Sequence, residues 1–172
     1  SFEKYIYRYG VVPEARPVIF TNNSTTISLL KSLINLGHKP AAYVDARDEK
    51  KIEKDLLDCL EKNNIPFYKN AEIEGCDGNK EVQIISIRNN KNEIIKINSS
   101  MLCVSGGINP DIHLFTQSKG LVKWDQELLT FKPDIPFQNT ITLGSVSGNY
   151  DYEKTNEEIN SKLSFLKAKN EN

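Results

Sequence analysis

The chain has 172 residues, 38 % of them hydrophobic and 26 % charged, with a formal net charge of −1. That is enough for one domain with a real core and marginal for two. The charge gives no footprint for nucleic acid or an anionic membrane, and no apolar run approaches the length that spans a bilayer.

The start, Ser1-Phe2-Glu3-Lys4, lacks the pattern of a secretory signal. It also lacks Met, which reads as an excised or processed segment of a cytoplasmic protein. Three cysteines, Cys59, Cys76 and Cys103, have no metal-ligand spacing and are expected to be small buried side chains in a reduced protein. His38 and His113 lie far apart with no nucleophile beside either, so neither a catalytic nor a metal role is assigned.

Tyr5 to Tyr9 is aromatic-rich and reads as the end of a helix in a connecting segment, residues 1–16. Pro17 to Thr21 is a short β-branched run. Asn22 to Thr26 is rich in helix-capping types, and Ile27, Leu29, Leu30, Leu33, Ile34 and Leu36 recur at helical spacing. Gly37 stops that helix of about four turns. Pro40 to Asp45 is a second buried strand, which completes a βαβ unit from Pro17 to Arg47 with parallel strands. A second helix is expected over Glu49 to Asn63, the Lys and Glu residues of Glu49 to Lys54 forming a solvated face. A third parallel strand follows at Ile65 to Tyr68.

Ala71 to Gly75, Glu81 to Arg88 and Glu93 to Ile97 alternate and suggest an antiparallel meander. Met101 to Val104 reads as a buried strand ending in Ser105-Gly106-Gly107. Further on come a helical turn within Asp111 to Gln117 and a hairpin from Val122–Trp124 and Leu128–Phe131. Thr140 to Leu143 reads as another strand. An amphipathic helix over Tyr152 to Lys169 carries Ile159, Leu163 and Leu166 on one face, and Asn170 to Asn172 are expected to be disordered.

The βαβ unit is the first place for chemistry. In a nucleotide-binding version, glycines in the first turn admit a pyrophosphate, and an acid ending the second strand takes the ribose hydroxyls. Asp45 stands about twenty residues after the turn, as that fingerprint asks. The glycines are missing: the turn is Thr21-Asn22-Asn23-Ser24, whose side chains either cap the helix or touch a phosphate. Arg47 would meet a 2′-phosphate or pair with a carboxylate on the surface, and the surface pair is the preferred reading. Two more candidates follow strands: Ser105-Gly106-Gly107, and Gly144-Ser145 at the head of Gly144 to Gly148. Trp124 is read as a hairpin packing residue.

In order, Tyr9-Gly-Val11, Val18 to Ser24, Val44-Asp-Ala-Arg47, Val104 to Ser118, Trp124-Asp125 and the Gly144-x-x-x-Gly148 turn resemble the middle of the alpha subunit of heterotetrameric sarcosine oxidases. The resemblance runs from about Tyr9 to about Tyr150. It implies the second, nested part of a two-part FAD/NAD(P)-binding region, in a subunit whose first part binds NAD. It further implies a parent complex that demethylates sarcosine to glycine with FAD, covalent FMN and tetrahydrofolate, releasing peroxide. The glycine-rich first half and the folate domain have no counterpart here. On this basis the isolated chain is expected to lack oxidase activity and to bind NAD weakly at most.

The expected architecture is a three-layer α/β domain of FAD/NAD(P)-binding type: a parallel sheet with helices on one face and a small antiparallel meander on the other. Residues 17–107 would form the nested domain and residues 108–169 the return segment to the first dinucleotide-binding domain. Partners would be the remaining domains of its own subunit and the other oxidase subunits, with dimerisation an option in isolation. Two alternatives stand beside this: a subunit of a related amine or cyanide-forming dehydrogenase, and a non-catalytic subunit-docking module with a vestigial nucleotide fold.

Overall fold

A computed structural model describes residues 2–12, 16–128 and 130–170, with side chains to residue 163. The chain divides into two compact units, Ser1–Gly107 and Ile108–Asn172.

Unit 1 opens with helix α1 (Phe2–Tyr9), which buries Ile6 in a helical core and leaves Tyr5, Tyr7 and Tyr9 exposed. The Tyr7 hydroxyl bonds that of Ser32. Strand β1 (Val18–Thr21) leads through a 3-10 turn at Ser24–Thr26 into α2 (Ile27–Asn35), then β2 (Ala42–Asp45), α3 (Lys54–Lys62) and β3 (Phe67–Lys69). The meander is β4 (Glu72–Asp77), β5 (Ile84–Arg88) and β6 (Ile94–Asn98), and β7 (Leu102–Ser105) closes the unit. The main sheet has the order β3-β2-β1-β7, all parallel.

Strand alternation builds the layers. Ile19 and Tyr43 face one side and pack with Leu30 and Leu33 of α2 and Leu56 and Leu60 of α3. Val18, Ala42 and Val44 face the other and pack with Ile85 and Ile87 of β5. This is the expected α/β arrangement, helices on one face and the antiparallel meander on the other. Each such buried aliphatic contributes roughly 1.5–3 kcal/mol of burial.

Four features of unit 1 depart from the sequence reading. The helix after β1 is shorter than four turns: α2 has nine residues, and Leu36 falls beyond it, exposed. Gly37 sits at φ 78, and the amides of Gly37 and His38 close back onto Ile34 O and Leu33 O, both at 2.9 Å, which ends the helix there. Glu49 to Asn63 is not one helix, because the Asp48 carboxylate caps a separate 3-10 turn at Glu49–Lys51. Ile52 is then extended and buried, and Glu53 precedes α3. β7 is an edge strand rather than a buried one, so Val104 is 63 % exposed. Cys76 is exposed, and Cys59 and Cys103 are half-buried rather than buried.

Unit 2 contains α4 (His113–Gln117), strands β8 (Val122–Asp125) and β9 (Thr130–Pro133), a 3-10 turn at Gly144–Ser147, and α5 (Tyr152–Asn170). The hairpin carries Trp124 opposite Phe131, with ring centroids 5.2 Å apart edge to face, so Trp124 does pack there. Leu129 lies outside the described residues. Thr140 to Leu143 forms no strand, because among the described residues nothing offers it a ladder. Leu163 is 50 % exposed rather than packed inward. The side chain of Leu166, and all of Glu171 and Asn172, lie outside the described residues, while the α5 backbone runs to Asn170. No helix among the described residues is long and apolar enough to cross a membrane.

Candidate functional site

Thr21, the last residue of β1, stands in register with Asp45 on one side and Ser105 on the other. The parallel sheet therefore brings the first turn, the second-strand acid and the Ser105–Gly107 exit to one edge. This is the edge where ligands of open α/β sheets bind. Alternation puts Thr21 and Asp45 on the helix side with Ile19 and Tyr43.

The turn is tied to itself and to β7. Thr21 Oγ1 donates to Asn23 O at 2.9 Å and accepts from the Asn23 amide at 3.1 Å. Asn23 is extended, and its Oδ1 accepts from the Thr25 amide at 2.9 Å, capping the 3-10 turn. Its Nδ2 donates to Asn22 Oδ1 at 2.8 Å and to Ser105 O at 3.2 Å. Thr25 and Ser105 hydroxyls are 3.2 Å apart. Gly107 has φ +111, and a Cβ there would lie 3.7 Å from Asn23 Nδ2; a Cβ on Gly106 would have no atom within 4 Å. Thr25, Ser105, Cys103 and Leu29 line a groove of about 410 Å³ that runs beside β7.

Asp45 and Arg47 are paired, but not on the surface. The Asp45 side chain is fully buried and that of Arg47 is 17 % exposed. Asp45 Oδ1 accepts from the Arg47 amide at 2.9 Å and from Nε at 3.1 Å, and Oδ2 accepts from Nη2 at 2.9 Å. Arg47 Nη1 donates to Ser24 Oγ at 3.0 Å and to Lys51 O at 3.3 Å. The hydrogen bonds that Arg47 donates to Asp45 are the main cause that raises its pKa above its ordinary value.

Glu53 completes this group, and the sequence reading missed it as part of a solvated face. Its carboxylate accepts from the Ser24 hydroxyl and lies 3.8 Å from Arg47 Nη1. Burial pushes its pKa up, but the bonds from Ser24 and its own backbone and the charge of Arg47 outweigh this and lower it. The only available signal was Asp48 three positions after the second strand ends, a cap that shifts the next helix start to Glu53. Beneath them the Tyr43 hydroxyl meets Thr26 Oγ1, and burial pushes its pKa up to about 12. Among the described residues no buried side-chain nitrogen or oxygen lacks a hydrogen-bond partner, so Asp45 and Thr26 are satisfied within the chain. The Asp45 carboxylate and the Ser24 hydroxyl are thus engaged by side chains of this chain.

Gly144 and Ser145 lie in unit 2, in the 3-10 turn before α5. Gly144 is buried at φ +61, and its amide donates to Glu158 Oε2 at 3.3 Å. That amide is thus already engaged by a carboxylate.

No family model matches the chain. By sequence it is similar to sarcosine oxidase subunit alpha of Rhizobium meliloti (strain 1021), with 29 % identity over 132 residues, 76 % of this chain and 12 % of that protein. With the subunit alpha of Corynebacterium sp. (strain U-96) it shares 25 % identity over 155 residues, 88 % of this chain and 16 % of that protein. The chain therefore spans only a small part of the relatives it matches. Among solved structures, bacillithiol disulfide reductase Bdr from Staphylococcus aureus superposes with TM-score 0.58 and 12 % identity over 78 % of this chain and 43 % of that one. Lactococcus lactis thioredoxin reductase gives 0.56 and 14 % over 90 % and 55 %. The chain thus resembles a part of sarcosine oxidase subunit alpha, on the α/β fold of FAD/NAD(P)-binding reductases.

Proposed function

We propose that this chain is the nested α/β segment of a cytoplasmic oxidoreductase subunit of the sarcosine oxidase alpha type, contributing structure and part of a dinucleotide site. The observation that carries this is a sequence match over 88 % of the chain, a share that neither unit could supply alone. The parent would hold NAD, with FAD, FMN and tetrahydrofolate elsewhere in a heterotetramer. The part of this chain that would touch a cofactor is Ser105-Gly106-Gly107, where Gly106 is open and Ser105 lines the groove. Ser145 would be a secondary contact, since the Gly144 amide is engaged. Partners would be the remaining domains of its own subunit and the other subunits. The related dehydrogenases and the docking module remain the competing readings.

The test is to purify the native assembly that contains this chain, record its flavin spectrum, and add sarcosine. Bleaching of a bound flavin with release of peroxide is expected. An assembly without flavin, or one whose flavin ignores sarcosine, rejects the reading.

A further inference from the structure

We infer that the nucleotide position of the βαβ unit is filled by the chain's own side chains, Arg47 lying over the acid Asp45 and Glu53 bonded to Ser24, so that this unit takes no dinucleotide. The inference rests on the geometry of unit 1 alone and does not require the reading above.

A dinucleotide on this fold needs two things at the C-terminal edge of the sheet. Its ribose hydroxyls need an exposed carboxylate at the end of the second strand, and its pyrophosphate needs free donors on the first turn. Both are taken. Asp45 has no exposed surface, and its two oxygens accept three hydrogen bonds from Arg47. Arg47 Nη1 then reaches Ser24 Oγ at 3.0 Å, which joins the second-strand end directly to the first turn and leaves no gap for a ligand between them. The Ser24 hydroxyl is spent on Glu53, and the Thr25 amide on Asn23 Oδ1. Glu53 supplies the negative charge that a phosphate would bring, from a side chain that is half exposed and anchored by Ser24 and Arg47. A guanidinium satisfied by two carboxylates and a hydroxyl has little to gain from a third anion. Asn23 also fastens the turn to Ser105 O, so the turn cannot open without breaking a contact to β7.

The test uses the full 172-residue chain, labelled with nitrogen-15 and titrated with NADH, NADPH and ADP-ribose while amide shifts are followed. No saturable shift at Ser24, Thr25 or Arg47 is expected, which means a Kd weaker than about 1 mM. Saturable shifts at those amides in the unaltered chain overturn the inference. Shifts confined to Ser105, Gly106 and Gly107 leave it standing and support the cofactor contact proposed above, so the two readings fail separately. The cause is tested with Glu53→Ser and with Arg47→Ser/Glu53→Ser. The double variant should gain at least about tenfold in ADP-ribose affinity, with shifts at Ser24 and Thr25. If it loses its amide dispersion, Arg47→Lys/Glu53→Ser replaces it, with the same expectation. A folded variant with no gain shows that these side chains are not what excludes the ligand, and sinks the inference.

Discussion

The guanidinium of Arg47 grips the carboxylate of Asp45 through Nε to Oδ1 at 3.1 Å and Nη2 to Oδ2 at 2.9 Å, and the carboxylate is fully buried. Removing one partner of such a pair strands the other charge away from water, which costs far more than the pair contributes net. Arg47→Met should therefore destabilise the chain by about 3 kcal/mol, read as a lower urea midpoint at unchanged slope. Arg47→Lys keeps the charge but loses the planar fork and should fall between the two. If Arg47→Met matches the unaltered chain, water reaches Asp45 and the pair is not closed.

How much of this was legible beforehand depended on the range of the interaction. The βαβ unit showed itself because strand and helix periodicity are local, and Gly37 marked its own helix end. The meander was equally plain in the alternation of Ile85 and Ile87. Asp45 and Arg47 were found by spacing, but their burial was not, because it depends on Ser24 and Glu53 arriving from other elements. Glu53 looked like one of several charges on a helix face; a cap at Asp48 turned it into a site residue. Thr140 to Leu143 has strand composition, yet a strand needs a neighbour, and composition cannot say whether one is within reach.

Tyr43 sets an alkaline limit. Burial raises its pKa from 10.0 to about 12, opposed by the bond to Thr26. Below pH 10 the phenol is neutral both folded and unfolded, so this contribution is intact there. As pH climbs from 10 toward 12 the unfolded chain ionises first and stability falls, by about 3 kcal/mol at most. Cys103, raised by burial from 9.0 to about 11, starts the decline earlier, between pH 9 and 11. Tyr43→Phe should remove the upper part of that decline and cost about 1 kcal/mol at neutral pH, because Thr26 loses its buried partner. Urea unfolding at pH 7, 9, 10 and 11 decides it; an unchanged alkaline profile in Tyr43→Phe rules the assignment out.

The cysteines should separate by reactivity, since the thiolate is the reacting form. Cys76 is exposed on β4. Cys103 is half-buried, with burial pushing its thiol up to about 11, so at pH 8 only about one molecule in a thousand carries the thiolate there. Titration with a disulfide reagent at pH 8 should give a fast phase that Cys76→Ser abolishes. The Cys103 phase should be roughly a hundredfold slower and should speed up as pH rises. A fast phase that survives Cys76→Ser contradicts this order.

In unit 2 the Gly144 backbone is held in a left-handed conformation, φ +61, beside the first turns of α5. Two costs follow for Gly144→Ala, and they separate. The left-handed backbone disfavours any Cβ by about 1 kcal/mol. The added Cβ would also lie 3.1 Å from Thr155 Cγ2, closer than the methyl comfortably allows. Thr155→Ser removes that methyl while keeping the hydroxyl that donates to Asp151 O at 2.7 Å. Gly144→Ala should therefore cost more alone than in the Thr155→Ser background, where only the backbone penalty remains. Glu158→Ala acts differently, leaving the buried Gly144 amide without its acceptor at about 1 kcal/mol, whereas Glu158→Gln keeps an oxygen there and should cost less. Thermal unfolding of the four variants and the double mutant gives the coupling. Strict additivity of Gly144→Ala and Thr155→Ser would mean that the helix shifts to admit the Cβ and that the turn is not held against it.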